Sequence, residues 1–286
     1  MPDNRYEGAG RVVVTSAQGA NGNGYGKLLA FDLSGAPLGP FSADDRIADP
    51  RGLAVDREKR LLYLNSGSNR VVALDRQGKV VRDTGPIDAL NPGGGVVGPD
   101  GRYYVGLRSA RTLLALAPGL ESAGELVLPR HVVPYPRGFG FGSDGRVFLA
   151  SGIGPDGEGD NTIIAFTQDG TIRLSWRVSD PELSPLDLAI GPSGSIIVSS
   201  EFPFGSPKAM TDIREYDPLD GRLLRVLSAD NGVSLRKPRG LRFGPDGNLY
   251  CVAEEEVVVF DYASGRCLGA VVRLPRLNGQ AIAFFP

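Results

Sequence analysis

Residues 237–261 read KPRGLRFGPDGNLYCVAEEEVVVFD, and residues 49–75 read DPRGLAVDREKRLLYLNSGSNRVVALD. Both phrases open on Pro, a variable residue and Gly, and run through a short apolar stretch to a polar turn. Both then close on a second and a third apolar stretch. The same anchor returns as PGGGVVGPDG from Pro92, PRGFGFGSDG from Pro136 and PLDLAIGPSG from Pro185. From Pro50 to Pro238, successive anchors lie 42, 44, 49 and 53 residues apart. A period of about 40–50 residues is that of a four-stranded propeller blade.

Within a unit the order is constant. A strand such as GLRFG meets a PDG turn, then a strand such as NLYCVAE, a loop, a strand such as VVVFD, an ASGR-type turn and a last strand, CLGAVV. The turns carry Gly where φ must be positive and Asp where a side chain accepts backbone N–H groups. That is a four-stranded antiparallel meander. The chain ends in LNGQAIAFFP, a sixth anchor strand, and begins with GRVVVTSAQGANGNGYGKLLAFDLSGAPLGPF, three strands without an anchor. The reading is an all-β, six-bladed propeller in which residues 1–286 form one domain and the two termini share a blade, which removes free edges.

Composition agrees: 40 Gly and 22 Pro, spread evenly, punctuate many turns. With 31 Lys plus Arg against 33 Asp plus Glu, no global field draws the chain to nucleic acid or to a membrane. No apolar run approaches the ~18 residues of a membrane helix, and the start MPDNRYEGAG has no apolar leader core. A cytoplasmic monomer acting on a small molecule is the expectation. Cys251 and Cys267 fall one strand apart in one sheet, so two unpaired thiols are expected rather than a disulfide.

The phrase P-x-G-L-x-F-G-P-D-G-N-L-Y with V-x-x-F-D resembles the NHL repeat. The chain as a whole is similar to the six-bladed propellers of NHL proteins and of the gluconolactonase (lactonase-like) group. That resemblance implies a ligand site on the face where inner strands start and second strands end, around the central channel. The variable anchor positions there are Arg51, Gly93, Arg137, Leu186, Arg239 and Asn278. Arginines on alternate blades suit convergence on one carboxylate or phosphate; the other reading is that each caps a joint between blades. Asp187 is an internal counter-charge.

Second-strand ends repeat Ser16, Ser66, Ser151 and Ser200, read as hydrogen-bonding caps. Arg108, Glu201 and Glu254 stand just beyond equivalent positions; either glutamate is a candidate general base or metal ligand. Three long loops, 17–26, 152–161 and 202–212, share this face, and Phe202 and Phe204 supply an apolar wall. His131, the one histidine, and Tyr135 are candidate proton-transfer groups near Arg137. Asp156, Glu158, Asp160 and Asn161 place oxygen ligands at alternate positions, as a calcium loop does.

The lactonase resemblance implies a divalent cation, calcium or zinc, held by an acidic residue that opens the first inner strand with Asn and Asp partners. Here Asn278 and Gln280 occupy that place, Asp187 fits one oxygen position, and Asn65 or Asn161 another. A single histidine excludes multi-histidine zinc sites. Two functions remain: a hydrolase or lyase of lactonase-like type on a small anionic, lactone or ester molecule with Arg51, Arg137, Arg239 and Arg108 as binding groups, or an NHL-type binding module for a protein, peptide or RNA.

Overall fold

The computed structural model describes residues 10–18, 24–87, 92–128, 135–152, 161–167, 172–179, 183–200, 211–230 and 232–286. They form six four-stranded antiparallel sheets. Blade one holds β1 (Arg11–Ser16), β2 (Lys27–Asp32) and β3 (Pro37–Pro40), and blade two β4 (Leu53–Val55), β5 (Leu62–Ser66), β6 (Arg70–Leu74) and β7 (Val80–Asp83). Blade three holds β8 (Pro92–Val97), β9 (Tyr103–Leu107), β10 (Thr112–Leu116) and β11 (Ser122–Val127). Blade four holds β12 (Pro136–Phe141), β13 (Arg146–Ser151), β14 (Thr162–Thr167) and β15 (Ile172–Ser179). Blade five holds β16 (Pro185–Ile190), β17 (Ile196–Ser200), β18 (Asp212–Tyr216) and β19 (Leu223–Ser228). Blade six holds β20 (Leu241–Phe243), β21 (Leu249–Val252), β22 (Glu256–Phe260) and β23 (Cys267–Arg273). The last strand, β24 (Gly279–Phe285), returns to blade one and pairs with β1, so the ring closes as the sequence predicts.

The turn chemistry is periodic. Asp100, Asp144 and Asp246 each accept the backbone N–H two residues on, at 3.1 Å, and close equivalent turns between first and second strands. The core is six layers, one between each pair of successive blades. In β1, Val12 and Val14 pack toward blade six and Val13 toward blade two. Middle strands are buried on both faces, which explains apolar runs where a half-exposed strand would alternate. Phe148 and Trp176, with centroids 5.0 Å apart, sit in the layer between blades four and five.

One layer between blades carries a buried carboxylate. Between blades five and six, buried Glu215 accepts hydrogen bonds from Ser195, from Tyr262 at 2.6 Å and from Arg225, whose guanidinium lies over the Tyr262 ring. Desolvation pushes this carboxyl upward, but the three donors outweigh it and hold it below the usual glutamate range. Cys251 is buried, Cys267 half-buried and both are unpaired, as expected. Among the described residues no helix is long and apolar enough to cross a membrane.

Candidate functional site at the channel mouth

Six inner strands converge on the axis at their N-terminal ends, and this crowding decides which residues fit. A Cβ on Gly138 would lie 2.6 Å from Asp187 Cα on the next blade, and one on Gly240 2.7 Å from Ala281 Cα. Register fixes the equivalences. Gly279 faces Ser16 as Pro136 faces Ser151 and Pro185 faces Ser200. The second anchor position of blade one is therefore Gln280, not Asn278 as the sequence alignment placed it. The glycine of LNGQ imitates the P-x-G glycine two residues early. Asn278 is instead the residue before the anchor, with φ 42°, matching Asp49 at 45° and Lys237 at 51°.

Strand alternation places the third and fifth anchor positions on one face of each inner strand, turned toward the next blade. The third reads Gly52, Gly94, Gly138, Asp187, Gly240, Ala281, and the fifth Ala54, Val96, Gly140, Ala189, Arg242, Ala283. Ten of the twelve are Gly, Ala or Val; the two exceptions, Asp187 and Arg242, bind each other at 3.0 Å. Asp187 Oδ2 also accepts the Leu241 N–H at 3.1 Å. Arg242 donates to the carbonyls of Leu241, Leu53 and Gly95. Above this pair a small cavity of about 40 Å³ is lined by Arg51, Arg108, Asp187, Arg242 and Gln280. Below it, at the opposite mouth, a cavity of about 440 Å³ is walled mainly by apolar residues including Val55, Val97, Phe243 and Phe284.

The arginine triad does not converge. Arg51 reaches the cavity while pairing with Asp49 at 2.6 Å. Arg137 donates to Ser184 Oγ and the Pro185 carbonyl of blade five. Arg239 donates to Asn278 Oδ1 at 2.8 Å and to the Gly279 carbonyl. Arg137 and Arg239 thus each grip the start of the next blade, and the joint-capping reading describes them. Arg108 joins Arg51 at the cavity and lies 5.5 Å from the Tyr135 ring, which Arg137 approaches to 5.9 Å from its own blade.

Glu254 does not line the cavity; it pairs with Lys237 at 2.5 Å and Arg236 at 3.1 Å. Three of the repeated serines are caps: Ser16 donates to the Leu277 carbonyl, Ser66 to those of Arg46 and Ala48, and Ser200 to that of Ser184. His131, Glu201, Phe202, Phe204 and Asp156 lie outside the described residues.

Among the described residues, the candidate ligands do not fit a divalent cation. Asp187 is taken up by Arg242 and Leu241. Asn65 accepts from Tyr103 at 2.6 Å and donates to the Gly93 carbonyl at 3.1 Å, a strut between blades two and three. Asn278 accepts from Arg239. Asn161 is buried, and its Oδ1 has no hydrogen-bond partner among the described residues. No group of three or more His, Cys, Asp or Glu side chains suited to a metal occurs among the described residues.

Sequence reasoning missed Arg242. It sits mid-strand in GLRFG, where the repeat comparison reads only a strand. The signal was one charged residue against five small ones at equivalent positions.

No protein-family model and no curated protein matches this chain. Solved structures do. The nidogen/laminin complex superposes with a TM-score of 0.70 at 15% identity over 97% of this chain and 98% of that one. A gluconolactonase from Xanthomonas campestris gives 0.61 at 19% identity, covering 81% and 78%. Virginiamycin B lyase from Staphylococcus aureus gives 0.58 at 17%, covering 82% and 77%. At these identities the likeness is one of fold: the chain is a six-bladed β-propeller of the architecture that these lactonase, lyase and nidogen/laminin structures share.

Proposed function

We propose that the protein is a hydrolase or lyase of lactonase-like type, acting on a small anionic, lactone or ester molecule at the upper mouth of its channel. The observation that carries this reading is the meeting of Arg51, Arg108 and Arg242 with Asp187 and Gln280 around one small cavity. Arg51 pairs with Asp49 and Arg242 with Asp187 around the same cavity. A carboxylate, a phosphate or a developing oxyanion gains charge-assisted hydrogen bonds there. Asp187, whose Oδ2 also holds Arg242 and the Leu241 N–H, is the candidate proton-exchange group among the described residues, with His131 and Glu201 as further candidates from the sequence. Two unpaired cysteines agree with a cytoplasmic setting, and we take the working form to be a monomer.

The test is turnover of a panel of lactones, aryl esters and small carboxylates by the purified protein. We expect R51Q and R108Q to raise KM about 10-fold or more and D187N to lower kcat about 100-fold. A second reading, a non-catalytic binding module, is favoured by the nidogen/laminin structure, which aligns over more of the chain than the two enzymes do. Stoichiometric peptide or protein binding at this face without turnover of any panel member would select it.

A further inference from the structure

The inner strand of a blade has one edge with no strand beside it, so its outward carbonyls need donors from elsewhere. In this channel one side chain supplies several. Arg242 reaches across the axis from blade six. Its Nη1 donates to Asp187 Oδ2 of blade five at 3.0 Å and to the Leu241 carbonyl at 2.5 Å. Its Nη2 donates to the Leu53 carbonyl of blade two at 3.3 Å and to the Gly95 carbonyl of blade three at 3.5 Å. One carboxylate and three carbonyl oxygens, from four blades, therefore surround a single cation. All-oxygen donors with one negative charge are also what a hard metal ion takes.

We infer that the channel centre is a cation site whose built-in occupant is the protein's own Arg242 guanidinium, standing where a divalent ion would otherwise be coordinated. A metal on Asp187 Oδ2 would sit beside that guanidinium and compete for the same oxygens. Small neighbours at the equivalent positions leave room for the long side chain to cross, and the fixed fork of the guanidinium satisfies several acceptors at once. The charge is covalently attached, so no chelator removes it. If the proposed function holds, ligand binding at the upper mouth is then indifferent to chelators. The cage itself does not rest on that function and is tested without any substrate.

The experiment is thermal unfolding of wild type, D187N, R242A, R242Q and the R242A/D187N double variant. Each is run with EDTA, calcium, magnesium or zinc, and with millimolar guanidinium chloride against sodium chloride of equal ionic strength. Wild type is expected to show no shift with any cation. R242A and R242Q should melt lower and recover by about 5 °C or more with calcium, and R242A also with guanidinium. The double variant, lacking both charges, should respond to neither. A shift of wild type with a divalent cation that D187N removes would overturn the inference. So would a folded R242A or R242Q that neither cation stabilises. Should R242A not fold, R242Q decides the calcium arm.

Discussion

Asp187 and Arg242 occupy positions where the other blades carry Gly, Ala or Val, and each depends on the other. Both are largely shielded, with side-chain exposures of 14% and 26%. Removing one partner of such a pair leaves a buried charge uncompensated, at a cost of about 3–5 kcal/mol. We expect D187N to lose stability in that range by urea unfolding, and the D187N/R242M double variant to recover part of it. If D187N costs under about 1 kcal/mol, the pair is not the closed contact described here. Gly138 has a separate reason: a Cβ there would lie 2.5 Å from Asp187 Oδ1 and 2.6 Å from its Cα. G138A should destabilise by roughly 1–3 kcal/mol through overpacking. The sequence makes Asp187 visible as an odd residue, because the anchor glycine is regular enough for its replacement to stand out. Arg242 stays hidden because a charged residue in a short strand reads as solvent-facing. Only the ring shows that this strand face turns toward the next blade.

At the scale of elements, the joint between blades five and six couples stability to pH. Glu215 titrates below the ordinary glutamate value when folded. The stability it contributes is therefore fully present above the unfolded pKa of about 4.3, and is lost as pH falls through the lower folded value. E215Q should be less stable than wild type at neutral pH, by about 1–3 kcal/mol for the hydrogen bonds it weakens. The gap should narrow as pH drops below about 4.5. Equal slopes for the two proteins between pH 3 and 6 would remove Glu215 from the account. The closing strand makes a plainer prediction. Deleting residues 279–286 takes the inner strand from blade one and exposes Val12, Val13 and Val14, now fully buried. Such a truncation should abolish the cooperative transition seen by circular dichroism, and a native-like melt would contradict ring closure by β24. The blades were legible because turn residues recur with the period. The two-residue slip at Gln280 arose because blade one lacks the proline that fixes register elsewhere.

For the molecule as a whole, the chemically distinctive residues stand where the repeats disagree. The fold could be read from the sequence because each blade repeats the same turns and apolar strands. The site could be read only in part: Arg51, Arg108, Asp187 and Gln280 do meet at the upper cavity. Arg137 and Arg239 are instead spent on holding neighbouring blades together. Side-chain type and blade position were the same for all three arginines, but Arg137 and Arg239 meet the residue before the anchor on the next blade, Ser184 and Asn278, whereas Arg51 pairs with Asp49 beside its own anchor. The measurement that tests the central claim most directly is a calorimetric titration of wild type, R51Q/R108Q and E254Q, in EDTA, with small carboxylates, phosphates and lactones. The account predicts binding of at least one anionic class by wild type and E254Q, weakened about 100-fold in R51Q/R108Q as two charge-assisted contacts are lost. Binding of no anionic class, or equal affinity in all three proteins, would contradict it.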